Sequence, residues 1–107
     1  MINQVFLVGR LVKDPELFET SSGSNMTRIT LAIQRSYKNQ DGIYDTDFIN
    51  CTLWRGIAKS TCDYCKKGDT IGVRGKLEAN KYEKDGKTIY LTEVIAEKIS
   101  FISTKKE

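Results

Sequence analysis

Histidine is missing from this chain of 107 residues. Its absence removes the commonest general base and the commonest nitrogen ligand for metals, and with them the usual signatures of several large enzyme classes. No nucleophile–base pair or carboxylate pair stands out instead, so a binding protein that needs no cofactor is expected rather than an enzyme. Cysteine is scarce, at three residues, and the odd count argues against a framework of disulfides. Cys62-x-x-Cys65 falls short of the four ligands of a tetrahedral zinc site, since only Cys51 remains to join it. The pair is read as small hydrophobes on the inner side of a helix, and no metal is expected. There is also no run of about 18 apolar residues, and Met1-Ile2-Asn3-Gln4 carries neither a basic segment nor a long apolar stretch. Neither export nor membrane insertion is encoded, which leaves the cytoplasm as the expected location.

Hydrophobic residues make up 39% and charged residues 29%, the range of folded globular domains. The length suits one domain, placed at residues 1–102, with 103–107 as a frayed end. A net charge of +3 merely permits an anionic partner. Its distribution says more: from Arg28 to Lys38 there are three basic residues and no acid. The positive charge is local.

The stretch Phe48-Ile49-Asn50-Cys51-Thr52-Leu53-Trp54-Arg55 is the most informative. Strand side chains alternate, so Ile49, Cys51 and Leu53 share a core face while Phe48, Asn50, Thr52 and Trp54 share the other. A solvated face does not ordinarily carry two large aromatics with polar residues between them. Either a flat ligand covers them, or Trp54 caps the core edge and Phe48 packs under a loop.

Residues 4–12 form a nearly continuous apolar run, the mark of a strand covered on both faces or paired with another subunit. Asp14-Pro15 ends it, Glu16–Thr20 is a possible short strand, and Ser21–Asn25 is a loop by composition. Met26–Tyr37 alternates, with Ile29, Leu31 and Ile33 inward and Arg28, Thr30, Ala32 and Gln34 outward. Asp41-Gly42 marks a hairpin. A helix is expected over Ile57–Lys67, with Tyr64 on its inner face and Gly68 as its C-terminal cap. Thr70–Ala79 resumes alternation with Ile71, Val73 and Leu77 inward, and Gly72 and Gly75 mark bends or bulges rather than a phosphate-cradling loop, since no helix start follows them. Asn80–Lys87 is a hairpin connection with Asp-Gly again, and Thr88 to about Phe101 is the last strand, with a bulge expected between Leu91 and Val94.

Five strands with one short helix between the third and fourth match an all-β, five-stranded Greek-key barrel of the oligonucleotide-binding kind (OB-fold). Such barrels bind across the second and third strands. The aromatic face of Phe48 and Trp54 lies there.

The chain resembles the bacterial single-stranded DNA-binding proteins over essentially its whole length. The motifs that carry the resemblance are Asn3–Leu11 with Asp14-Pro15-Glu16, Thr30-Leu31-Ala32, Asp47–Trp54, Lys67-Gly68, Gly75-Lys76-Leu77 and Thr92-Glu93-Val94. The resemblance implies sequence-independent binding and protection of single-stranded DNA in replication, recombination, repair or DNA uptake, close to the nucleoid. It implies base stacking on Tyr37, Phe48, Trp54 and Tyr82, and a homotetramer in which the first strand, with Val5, Phe6, Leu7 and Val8, pairs across a subunit contact. Many relatives are basic at one or both positions matching Glu78 and Asn80, where this chain is not. The typical replication form also continues through a linker to an acidic tip that recruits other enzymes, whereas this chain stops at Glu107. It looks like a short, tail-less paralogue or a truncated form, and tail-dependent recruitment of replication or repair enzymes is not expected.

Binding of this kind needs π-faces that accept any base and cations that follow the phosphates. Arg10, Arg35, Arg55, Arg74, Lys76 and Lys81 are the candidate cations, with Asn50 as a polar contact between the aromatics; singly, each is as readily an ordinary solvated residue. A primosome-type adaptor on the same barrel, using the exposed aromatics against a protein partner, is the alternative.

Overall fold

Apolar side chains at alternate positions draw five strands around one core. In chain order the elements are β1 (Val5–Leu11), β2 (Phe18–Glu19), β3 (Asn25–Lys38), β4 (Tyr44–Trp54), α1 (Arg55–Tyr64), β5 (Thr70–Lys84) and β6 (Lys87–Ser103), in a computed structural model that describes residues 1–103. Of the end expected to fray, Ser103 is the last residue of β6 and the remainder lies outside the described residues. Neighbouring strands run β1-β5-β6-β4-β3, and β3 returns to β1 where Arg10 faces Ala32 and Leu11 faces Leu31. The ring is a closed five-stranded barrel, with the two-residue β2 added on β3. Its pairs are antiparallel except β4–β6, which are parallel and meet only through Cys51 beside Val94 and Thr52 beside Ile95.

Leu11, Ile29, Leu31, Leu53, Ile71 and Val73 fill the interior, none more than 2% exposed. Helix α1 closes one side of the barrel with Ala58 and Thr61. It begins two residues earlier than expected and stops at Tyr64. Cys65 is extended and caps it by donating its N–H to the Thr61 carbonyl, so Gly68 is not the cap. Gly68 instead turns the chain, at φ +94°, and donates its N–H to the Leu11 carbonyl, while Asp14 accepts from the Lys67 N–H. Those bonds tie the exit of the helix to the end of β1. Tyr64, expected on the inner face, is exposed and rests at 6.2 Å from the Phe101 ring, the last turn of α1 packing inward through Thr61 instead.

The cysteines behave as buried apolar groups. Cys51 and Cys65 are buried and Cys62 partly so, all three free. Burial disfavours the thiolate and pushes the thiols of Cys51 and Cys65 up to about 11.

Strands β5 and β6 outrun the barrel. Asn80–Lys87, expected as a connecting loop, is instead a continuation of both strands, closed by Asp85 and Gly86 alone. Both turn residues have positive φ, +53° and +76°, the two-residue hairpin geometry that an Asp-Gly pair favours. Leu77, expected inward, is exposed because it lies on this projecting ribbon, past the reach of β1. There the Asn3 side chain takes the place of a strand, donating to the Leu77 carbonyl and accepting from its N–H. The bulge expected between Leu91 and Val94 is absent: pairing is continuous from Ala96 to Lys87, and the extra residues are Glu97 and Ile102. Leu91 and Val94 differ in face because Leu91 faces out from the ribbon while Val94 enters the core. Among the described residues no helix is long and apolar enough to cross a membrane.

Gly75 sits at the Glu97 bulge, where β5 bends and β6 crosses closely. A Cβ there would overlap the Ile95 carbonyl. Replacing Gly75 by Ala is expected to cost about 3 kcal/mol or more of stability, read as a lowered denaturant midpoint.

Candidate nucleic-acid interface

The outward phase of β3 and β4 forms a ladder of facing pairs: Met26 with Trp54, Arg28 with Thr52, Thr30 with Asn50, and Ala32 with Phe48. Only small side chains oppose Phe48 and Asn50, so the Phe48 ring stands free at 64% exposure. Thr30 donates its hydroxyl to the Asn50 carbonyl oxygen at 2.7 Å, which leaves the Asn50 amide nitrogen as the donor toward solvent. Trp54 ends β4 at 39% exposure, neither sealed into the core nor fully free. Arg55 follows at φ +56°, a conformation rarely adopted by a residue with a side chain, and this sharp step from strand to helix sets the indole at the rim.

Thr52 departs from the expected wet face. It is buried because β6 runs beside it, and its hydroxyl donates to Glu93 at 3.0 Å. Glu93 also accepts from the Asn80 side-chain nitrogen at 2.8 Å. These two bonds join the outer face of β4 to the outer face of the ribbon. On that ribbon Tyr82 faces Ile89, Asn80 faces Leu91 and Glu78 faces Glu93, so by alternation Tyr82, Asn80 and Glu78 share one side. A groove of about 750 Å³ runs between the two surfaces, lined by Phe48, Asn50, Thr52, Leu91, Glu93 and others. Trp54 and Arg55 line an adjoining hollow with Glu78 and Glu93.

The candidate cations are distributed unevenly. Arg10 lies on the same row as Ala32 and Phe48, one strand away. Arg35 is held: its Nε and Nη2 donate to the two Asp47 carboxylate oxygens at 3.0 and 2.9 Å, and it leans over the Tyr37 ring at 6.0 Å. That pairing holds the Asp47 carboxyl below its ordinary range, chiefly through the hydrogen bond. Lys76 shares its charge with Glu78 at 3.9 Å. Lys81 is opposite Tyr90 on the ribbon side away from Tyr82. Arg74 is grouped with Phe6, Val8 and Lys98 around a separate hollow of about 350 Å³ rather than with the aromatics. Tyr37 is 62% exposed near the β3–β4 hairpin, and Tyr82 is 48% exposed on the ribbon.

Lys13 and Arg28 line the main groove and were not among the candidates. Arg28 was legible, since it stands in the outward phase opposite Thr52; Lys13 follows β1 with no periodic signal. Tyr44 was missed as well, and carries Lys38 over its ring at 5.6 Å. Among the described residues no cluster of metal-ligating side chains is present.

The model of the single-strand binding protein family matches residues 2–102. The chain belongs to that family. It is 47% identical over 106 residues to single-stranded DNA-binding protein B of Bacillus subtilis, covering 98% of this chain and 94% of that protein. It is 46% identical over 106 residues to the single-stranded DNA-binding protein of Bacillus cereus, of which it spans 62%. A crystal structure of a deletion mutant of the single-stranded DNA-binding protein from Thermus aquaticus is similar in fold, with TM-score 0.80 and 31% identity over 95% of this chain and 51% of that one. The barrel is thus the OB-fold of this family.

The Arg35–Asp47 pair is exposed on both sides, so it orients side chains more than it stabilises the barrel. Replacing Arg35 by Ala is expected to raise the Asp47 titration midpoint, followed by NMR, with little change in melting temperature. Asp47 is stabilised in its charged form, so the contribution of the pair is present above the ordinary carboxylate midpoint and fades as pH falls through the lowered one.

Proposed function

We infer that this chain binds and protects single-stranded DNA without regard to sequence. The observation that carries the reading is the continuity of one outer surface, from Trp54 and Phe48 on β4 across Glu93 to Tyr82 on the ribbon. Aromatic faces exposed along one path accept any base, and a strand threading them exposes its phosphates to Arg28, Lys13 and Arg10 at the margins. Tyr37 extends the path at the hairpin end. Arg35 supports that ring and serves the phosphates only if it leaves Asp47. Family membership supports the same reading, along with a role in DNA maintenance beside the nucleoid rather than in catalysis. No step in such binding calls for a bond-breaking group.

A homotetramer is part of the proposal. β1 pairs with β5 along Val5–Arg10 but with β3 only through Arg10 and Leu11, so one edge of Val5–Val8 is open. Phe6 and Val8 are exposed there beside Ile102, while Val5 and Leu7 turn inward. An open strand edge with an apolar face invites pairing with a second copy.

Adding a thymine oligomer should strongly quench Trp54, the only tryptophan. Replacing Phe48 or Trp54 by Ala should weaken binding by about 1–3 kcal/mol while the melting curve stays nearly unchanged. Unquenched emission at saturating oligomer would favour the adaptor reading, in which these rings meet a protein. Sedimentation at micromolar concentration should give a tetramer, and a monomer would remove the assembly proposal without touching the groove.

A further inference from the structure

The groove carries negative charge on the side of Trp54, where Glu93 and Glu78 line the adjoining hollow. Glu78 and Glu93 are directly opposite each other across the antiparallel β5–β6 pair, on the face shared with Tyr82. Like charges in that position disfavour one another, their Cβ atoms being about 5 Å apart. Neither is fully compensated. Both Glu93 oxygens accept from neutral donors, Thr52 and Asn80, and among the described residues Glu78 is paired with Lys76 alone, at 3.9 Å, with both side chains nearly half exposed. Both carboxylates border the hollow of about 530 Å³ that also holds Trp54 and Arg55.

We propose that Glu78 is an affinity-limiting residue of this groove. With Glu93 behind it, Glu78 holds the sugar-phosphate backbone of a stacked strand off the ribbon and occupies Lys76, which would otherwise bind a phosphate. The strand is then gripped through its bases beside Trp54, with fewer phosphates neutralised than the number of nearby cations suggests. This rests on the reading of the groove as the single-strand site.

The test is a fluorescence titration of Trp54 with a thymine oligomer at low and moderate salt. Glu78→Gln removes the repulsion and frees Lys76, and should tighten binding about fivefold at low salt, the effect expected of one nearby charge in a solvated site. Glu78→Lys should tighten it further and steepen the dependence of log affinity on log salt by about 0.7, one added phosphate contact on a single strand. Glu97→Gln makes the same change in net charge as Glu78→Gln but beside α1, in a different hollow, and should do neither. Melting temperatures of the Glu78 variants should not fall, since a like-charge pair is relieved. If both Glu78 variants bind no more tightly than Glu97→Gln, or more weakly, Glu78 has no such role although the groove reading stands. If the unmodified chain binds no oligomer, the groove reading and this inference fall together.

Discussion

Two residue pairs hold the architecture shut. Where Cys51 and Thr52 of β4 run parallel to Val94 and Ile95 of β6, the barrel closes with a ladder of only two pairs, as short as the one between β1 and β3. The groove takes its shape from that seam. It lays the outer face of β4 against the outer face of the β5–β6 ribbon, and the Thr52–Glu93–Asn80 hydrogen bonds stitch across it. Without the seam, Phe48 and Trp54 would occupy one surface and Tyr82 another.

The charges follow a similar logic of placement over number. A net charge of +3 is too small to describe the groove, because the cations are sorted by strand phase and by partner. Arg28 and Lys13 reach the groove, Arg74 faces the β1 side with Phe6, and Arg35 is committed to Asp47. The exposed rings and the cations are therefore separate features of this surface. The rings lie along the middle of the surface and the cations lie at its edges.

Much of this was legible in the residues. The alternation of Phe48–Trp54 located the β4 surface, since a strand with one face in a core announces its other face. The helix and the hairpin at Asp41-Gly42 were legible from local periodicity and turn chemistry. The ribbon was not, because Asp85-Gly86 marks a turn without saying how far the strands run before it, and exposed strands lack an apolar phase. Leu77 and Leu91 were misplaced for the same reason: apolar residues suggested core or bulge where they line a groove. Arg35 could not be matched to Asp47 from sequence, since the β3–β4 register shifts between Gln34 and Lys38. The apolar run of β1 is half-buried on the side of Leu7 and leaves Phe6 and Val8 exposed on the other.

The projecting ribbon has a parity. Because successive residues on each strand point to opposite sides, Tyr82 shares a side with Glu78 and Glu93 only while an even number of residue pairs separates it from the seam. Loss or gain of a single facing pair, such as Lys81 with Tyr90, would turn Tyr82 to the other side and would also move the Lys84–Lys87 pair off the hydrogen-bonded position on which a two-residue turn closes. The ribbon can thus lengthen or shorten only in steps of two pairs if Tyr82 is to keep its side. Its length is quantised by the strand repeat.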